Sequence, residues 1–284
     1  MSAPALCSLD GRIVPLAEAR ISPMDRGFLF GDAVYETVKV ARGRPLFLDR
    51  HLDRLNRSLA ALRIAPPADP VGTIVRLVDA SQLLSGAVYL QVSRGAAPVR
   101  RHLPPPGLAP TVFALPIAID YPEEPWALPG LSAVTRADDR WRHSDIKTTA
   151  LVATVLGKLA AAEAGADDVV YLSADGTLRE AGNTNLFARD ARGWHTHPLG
   201  PEILSGVTRA VLLERARAAG IAVEERAPRL ADRAAWREAF VCGTTTGVRA
   251  LVRLDGAPVG DGAPGPGTAQ LGRLLAAAEA AELP

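Results

Sequence analysis

Lysine is nearly missing from this chain. Of its 32 basic residues only Lys39, Lys147 and Lys158 are lysines, so 29 are arginines. Any chemistry that needs an amine rather than a permanent cation therefore has three candidates. The two cysteines, Cys7 and Cys242, lie too far apart in sequence to suggest a disulfide framework, and nothing has the spacing of zinc ligands, which fits a reduced compartment. Net charge is only +1, with the arginines spread along the chain against 31 acids, so neither nucleic acid nor an anionic membrane is marked as a partner. No stretch reaches the roughly 18 uninterrupted apolar residues of a membrane span. The N-terminus lacks the basic start and apolar run of a signal peptide, and a cytoplasmic protein is expected. What remains is ordinary globular usage: 48% hydrophobic and 22% charged residues over 284 positions, enough for about two domains with real cores.

Among the three lysines, Lys147 is set apart by its neighbours. Arg140, Arg142, His143 and Asp145 precede it and a long apolar run follows, which predicts a lysine at the mouth of a helix. Beside other cations, or in a dry pocket, a lysine loses its proton readily enough to condense with a carbonyl, whereas arginine does not. The plainer alternative is a helix-start lysine in water, where charged side chains usually lie.

The other elements follow from periodicity and turn chemistry. Leu6–Leu9 and Arg12–Val14 flank Asp10-Gly11, a pair suited to a tight hairpin. A glycine-punctuated bend from Asp25 leads into an alternating strand that ends near Val40. On that strand Tyr35, Thr37 and Lys39 share one face, and Val34, Glu36, Val38 and Val40 the other. The polar face is either the wet side of a sheet or the wall of a pocket. Leu48, Leu52, Leu55, Leu59 and Leu62 trace an amphipathic helix with Asp49 as its N-cap, and Arg54 lies off that stripe, where periodicity leaves it in solvent. A second helix is expected over 69–84 with Pro70 in its first turn, then a strand over 87–94 and a proline-stiffened loop, 95–107. The loop carries Arg100, Arg101 and His102, either as surface charge or as a loop-borne anion site.

After a strand over 111–119, residues 120–125 read as a linker, so a smaller N-terminal domain, 1–118, and a larger C-terminal one, 122–284, are expected. A helix is predicted from Thr148 to Ala164, with Lys158 at the edge of its apolar face, snorkelling to water. Hairpins turning near 174–177 and 190–193 deliver Glu180 and the pair His195 and His197. Without a third ligand those two read as surface histidines, and no metal is expected. Ser205-Gly206 opens a helix closed by Gly220, and its first N–H groups suit a phosphate. A strand over 240–247 adds the hydroxyls of Thr244, Thr245 and Thr246. Gly260, Gly262 and Gly265 match a dinucleotide-binding spacing, but proline interrupts the turn, leaving a loop before a terminal helix over 268–281.

A lysine able to form a Schiff base, a carboxylate delivered by a hairpin, a helix N-terminus with neighbouring hydroxyls and a tyrosine-bearing strand face have one common explanation. Pyridoxal 5'-phosphate (PLP) asks for these parts: a lysine partner, an acid at the pyridine nitrogen and a phosphate cup.

The sequence resembles the class IV aminotransferases of PLP fold type IV, and within them the D-amino-acid aminotransferases. The resemblance is carried by Asp25–Glu36, His51–Leu55, Ser144–Lys147, Glu180–Phe187, Ile203–Arg209 and Thr244–Thr246, in the family's order. It implies an α+β fold of two domains with the cofactor between them. It also implies that Lys147 carries the cofactor and moves the substrate proton, that Glu180 pairs with the pyridine nitrogen, and that Tyr35 lies near the reacting atoms. Arg54, the backbone amides of Val207 and Thr208, and Thr244 would hold the phosphate, which moves Arg54 out of solvent. D-Amino-acid members carry an Arg-x-His pair for the substrate carboxylate, typically supplied by the neighbouring subunit. Here Arg100 or Arg101 with His102 provides it on a loop one residue longer, so a homodimer is expected, with Lys39 as a pocket-wall residue. The implied reaction is a ping-pong exchange of an amino group between a D-amino acid and a 2-oxo acid. Branched-chain L-amino-acid and (R)-amine transaminases, 4-amino-4-deoxychorismate lyase and a non-enzymatic PLP carrier are the alternatives. A serine hydrolase built on His143, Ser144 and Asp145 is excluded, because adjacent residues do not face one another in a relay.

Overall fold

The computed structural model describes residues 5–283, which fall into two compact units. One holds the chain through Tyr121 together with Ile146–Ala150; the other holds Pro122–Asp145 and Leu151–Glu282.

In the first unit, β1 (Leu6–Leu9) and β2 (Arg12–Pro15) form the expected hairpin, with Asp10 at φ 51° and Gly11 at φ 80°. Those left-handed angles are what Asp-Gly tolerates and most residues do not. The bend after Asp25 is a short helix, α1 (Arg26–Phe30), capped by the Asp25 carboxylate on the Gly27 N–H and closed by Gly31 at φ 66°. Then come β3 (Ala33–Ala41), β4 (Arg44–Pro45), α2 (Leu48–Leu62), α3 (Pro70–Ser81), β5 (Ser85–Ser93) and β6 (Thr111–Ala118). The strands pair antiparallel in the order β2-β1-β6-β5-β3-β4. Val34, Val38 and Val40 pack with Leu55 and Leu59 of α2 and Ile74 and Leu77 of α3. Full burial of such a side chain is worth about 1.5–3 kcal/mol, so this core fixes which face β3 turns inward. Asp49 is not the N-cap of α2; Phe47 holds that position and Asp49 sits in the first turn, where its charge complements the helix dipole.

The second unit contains β7 (Leu131–Ala137), α4 (Val152–Glu163), β8 (Asp168–Leu172), β9 (Leu178–Ala181), β10 (Asn185–Asp190) and β11 (Gly193–Thr196). It continues with α5 (Val207–Ala218), β12 (Val223–Glu224), β13 (Glu238–Gly243), β14 (Gly247–Leu254), β15 (Ala257–Pro258) and α6 (Pro266–Ala281). Its nine-stranded sheet runs β12-β11-β10-β13-β14-β7-β8-β9, with β15 on β14. The Glu180–Asn185 pairing of β9 with β10 closes the path from β10 through β13, β14, β7 and β8 back on itself. The strand expected over 240–247 is interrupted: β13 stops at Gly243, and Thr244–Thr246 form the turn into β14.

The expected helix over 148–164 begins later, at Val152. Residues 146–150 are extended and lie along β3, with the Tyr35 N–H donating to the Lys147 carbonyl at 2.9 Å and the Thr149 N–H to the Ala33 carbonyl at 3.1 Å. The strand edge supplies backbone partners and the β-branched threonines suit extended chain, so pairing wins over helix propensity. Helix α4 also departs from its predicted face. Gly157 and Ala161 are its buried residues, Ala161 packing with Val169 and Tyr171, while Val152, Val155, Leu156 and Leu159 are 73%, 55%, 48% and 53% exposed. A Cβ on Gly157 would meet the Tyr171 hydroxyl at 2.7 Å, so close docking selects the small-residue side. Among the described residues, no helix is long and apolar enough to cross a membrane.

Candidate active site

In the first unit, the main-chain pairing to β3 holds Lys147 beside Tyr35, and the half-buried Lys147 Nζ lies 4.2 Å from the Tyr35 ring centroid. The Lys147 N–H donates to Ser58 Oγ of α2 at 3.2 Å, a further anchor. Among the described residues no carboxylate is ion-paired with this amine. Tyr35 therefore neighbours the lysine amine from the face of β3 that alternation assigns to Tyr35, Thr37 and Lys39.

The opposite face of β3 holds a charged group that periodicity does not reveal. Glu36 is fully buried among the valines, and Arg54, expected in solvent, is only 3% exposed. Arg54 Nε and Nη2 donate to the two Glu36 carboxylate oxygens at 2.8 and 2.7 Å, and His51 Nδ1 lies 2.8 Å from Glu36 Oε2. Burial opposes the Glu36 charge, but Arg54 and His51 outweigh it and hold the carboxyl at about 2. Burial likewise pulls His51 below its usual range, more than Glu36 raises it. The imidazole is then neutral and donates from Nδ1. The signal was present in the sequence: a carboxylate amid valines needs a partner, and His51 and Arg54 are three apart on one side of a helix.

In the second unit, Glu180 at the end of β9 accepts from Arg140 Nη1 at 2.6 Å, Asn185 Nδ2 at 3.2 Å and the Leu204 N–H at 3.0 Å. Arg140 is in turn held by Asp138, through Nε at 2.9 Å and Nη2 at 3.0 Å. Burial opposes its charge, but Asp138 and Glu180 prevail and raise its pKa. Its guanidinium carbon lies 4.0 Å from the Tyr171 ring centroid. Asn185 also donates to the Leu204 carbonyl at 3.0 Å, which ties the acid to the segment leading into α5. That helix starts as predicted, at Val207 after the N-cap Gly206, with no side chain capping it and no acid in its first turn. A Cβ on Gly206 would lie 2.0 Å from Asn185 Oδ1, so glycine is required for the chain to pass this close. The uncapped amides, with buried Val207 and Thr208, have the chemistry of an anion cradle, and Thr244 lies on the turn after β13, a strand that packs against α5. Neither Arg140 nor Asn185 stands out in the sequence as a partner of Glu180, because strand pairing and a turn, not spacing, bring them together.

Arg100, Arg101 and His102 are all exposed on their loop, and Arg100 and His102 gather at one ring, that of Phe30. The Arg100 guanidinium carbon lies 4.9 Å and the His102 ring centroid 5.5 Å from its centre. Lys39 Nζ lies 4.7 Å from the Tyr121 ring centroid. Lys158 does not merely snorkel, since its Nζ pairs with Asp168 Oδ1 at 2.7 Å. His195, in β11, and His197, just beyond it, are not a surface pair; they are 1% and 8% exposed. Among the described residues no three His, Cys, Asp or Glu side chains are grouped to hold a metal ion.

Similarity to known proteins extends over these elements. The sequence model of the family described as Amino-transferase class IV matches residues 33–254, from the start of β3 to the end of β14. The chain is 36% identical over 260 residues to a D-alanine aminotransferase of Bacillus licheniformis, covering 90% of this chain and 91% of that one. It is 32% identical over 266 residues to the D-alanine aminotransferase of Staphylococcus aureus strain COL, covering 93% and 94%. Among solved structures, a branched-chain aminotransferase from the archaeon Thermoproteus uzoniensis with norvaline superposes at TM-score 0.84 with 22% identity, over 99% of this chain and 98% of that one. A hypothetical aminotransferase from Mycobacterium tuberculosis in its PLP-bound form also gives 0.84, with 24% identity, over 98% and 99%. The fold is thus the two-domain α+β architecture of PLP fold type IV. With the family match running through Lys147, Glu180 and the start of α5, the chain belongs to the class IV aminotransferases.

Proposed function

We propose that this enzyme moves the amino group between a D-amino acid such as D-alanine and a 2-oxo acid such as pyruvate or 2-oxoglutarate, in two half-reactions that share one PLP. The observation that carries the chemistry is the placement of Lys147: pinned by its main chain to β3, with its amine over Tyr35 and no ion-pair partner among the described residues. PLP, when bound, supplies an electron sink for the carbanion left when the substrate Cα loses its proton. Lys147 anchors the cofactor and then carries that proton, and Tyr35 orients the amine. Glu180, held by Arg140, Asn185 and the Leu204 amide, accepts from the pyridine nitrogen. The uncapped amides of Val207 and Thr208, Thr244 and Arg54 take the phosphate, and Arg100 with His102 takes the substrate carboxylate. The domains divide as 1–118 and 122–284, except that Ile146–Ala150 pack with the first.

The enzyme works in the cytoplasm as a homodimer. Support for the dimer comes from the exposed apolar side of α4, where Val152, Val155, Leu156 and Leu159 offer a second copy a surface that water does not favour. Replacing Leu156 and Leu159 by glutamate is expected to yield a monomer in light scattering.

The substrate assignment is tested by adding D-alanine, L-leucine or (R)-1-phenylethylamine to the PLP-loaded enzyme without any 2-oxo acid and following the cofactor absorption. Conversion to the amino form by D-alanine supports the assignment. Conversion by L-leucine alone makes this a branched-chain enzyme, and failure to take up PLP overturns the reading of Lys147.

A further inference from the structure

The side chains of residues 99–103 are solvent-exposed, Val99 and Leu103 at 56% and 84%, so no apolar packing fixes the middle of the 95–107 loop. Its entry is paired to the start of α1: the Arg26 N–H donates to the Gly95 carbonyl at 3.0 Å and the Ala97 N–H to the Met24 carbonyl at 3.2 Å. The hydrogen bonds that hold its middle come from Arg26. Arg26, 5% exposed, donates from Nη1 to the Arg101 carbonyl at 2.6 Å and from Nη2 to the His102 carbonyl at 2.8 Å, while Nε is spent on Asp32 at 2.8 Å. Asp32 is fixed from its other side by Arg94 Nε and Nη2 at 2.7 and 2.8 Å, and Arg94 donates onward to the Leu62 and Arg63 carbonyls that end α2. Phe30 completes the arrangement, with the Arg26 guanidinium carbon 4.8 Å and that of Arg100 4.9 Å from its ring centroid, and His102 packed on the same ring.

We propose that Arg26 and Phe30 form a clip that holds this loop in the shape that recognises the substrate carboxylate, Arg26 being a positioning residue that never touches substrate. The inference rests on the reading that Arg100 and His102 bind that carboxylate. Arg26 binds no carboxylate of its own from substrate, because it is buried and each of its three nitrogens already donates to the protein. It fixes the two peptide groups around His102, and the ring of Phe30 meets both Arg100 and His102. A planar fork with parallel N–H groups suits two neighbouring carbonyls; a lysine ammonium keeps the charge beside Asp32 but not that geometry.

The test compares PLP-loaded wild type with Arg26→Lys, Phe30→Leu, Arg100→Ala and the double variant Arg26→Lys/Arg100→Ala, in steady-state kinetics with D-alanine and 2-oxoglutarate and in limited trypsin digestion. Arg26→Lys is expected to raise KM for both substrates by roughly ten- to a hundredfold with kcat and PLP affinity little changed, since small misplacements of a binding group cost that much. Phe30→Leu, which keeps an apolar side chain at a half-buried position, is expected to raise KM in the same direction. In both, cleavage after Arg100 or Arg101 is faster. The double variant should raise KM by less than the product of the two single effects, because the clip acts through Arg100 as well as through His102 and part of what it positions is already gone. An unchanged KM in Arg26→Lys and Phe30→Leu while Arg100→Ala raises it overturns the clip and leaves the carboxylate reading standing; so does a loss confined to kcat, or one additive with Arg100→Ala. An unchanged KM in Arg100→Ala overturns the carboxylate reading itself.

Discussion

Replacing Glu36 by glutamine removes one charge from the most deeply buried ionic group of the first unit. Arg54, 3% exposed, keeps its positive charge but then faces a neutral amide that offers one acceptor oxygen and turns N–H donors toward N–H donors. Breaking a buried pair on one side costs about 3–5 kcal/mol, a large part of the roughly 5–15 kcal/mol that holds a typical domain folded. At about 1.4 kcal/mol per factor of ten, opening of this unit becomes roughly a hundredfold or more easier. Urea unfolding followed by circular dichroism measures the loss, and hydrogen exchange localises it: amides of β3 and α2 should exchange faster, while those of β13 in the second unit serve as the control. Joint replacement of Glu36 by valine and Arg54 by methionine, apolar groups with no charge left unpaired, should recover most of the stability yet weaken PLP retention, separating packing from phosphate binding. A loss below about 1 kcal/mol in Glu36→Gln would instead rank the pair with exposed ion pairs, with no penalty for an unpaired buried charge.

Acid should act through the same carboxylate. With its pKa held at about 2 in the folded protein against 4.5 ordinarily, Glu36 contributes stability that is fully present above about pH 4.5 and is lost as pH falls toward 2; the unfolding midpoint should be flat from neutrality to about pH 5 and drop steeply below, less steeply in Glu36→Gln. Gly206→Ala places a Cβ 2.0 Å from Asn185 Oδ1, so the start of α5 must shift; a stability loss of about 1–3 kcal/mol and a PLP dissociation constant raised by roughly tenfold or more are expected from calorimetry and equilibrium dialysis. Glu180→Gln keeps shape but removes the charge facing Arg140, and kcat should fall on the order of a hundredfold in the D-alanine assay with little change in the Trp fluorescence of the folded protein.

What the sequence disclosed and what it hid divide along physical lines. Turn chemistry is local, so the Asp10-Gly11 hairpin and the Gly206 start of α5 are legible residue by residue. Period two puts Tyr35 on the face of β3 opposite the buried valines without help. Arg54 shows the limit: helical periodicity counts only apolar positions, and the reason to bury a guanidinium lies eighteen residues away, in Glu36. Propensity starts the helix after Lys147 too early, because it does not know that β3 has a free edge beside residues 146–150. Helix α4 reverses its expected face for a related reason, since Gly157 and Ala161 permit a closer approach to β8 than leucines do, and a single-chain reading assigns every apolar stripe to its own core. Arg140 and Asn185 meet Glu180 only through tertiary structure, and the grip of Arg26 on the loop carbonyls leaves no trace in spacing at all.

The proposed function needs one amine among three, Lys147, to carry the cofactor. Reducing the PLP-loaded enzyme with borohydride fixes the cofactor covalently to whichever lysine holds it, and peptide mass spectrometry then locates it. The expected result is a single modified peptide containing Lys147, absent when the enzyme is first converted by D-alanine. A modified Lys39 or Lys158, or a protein that binds PLP without any reducible linkage, would rule out that role for Lys147.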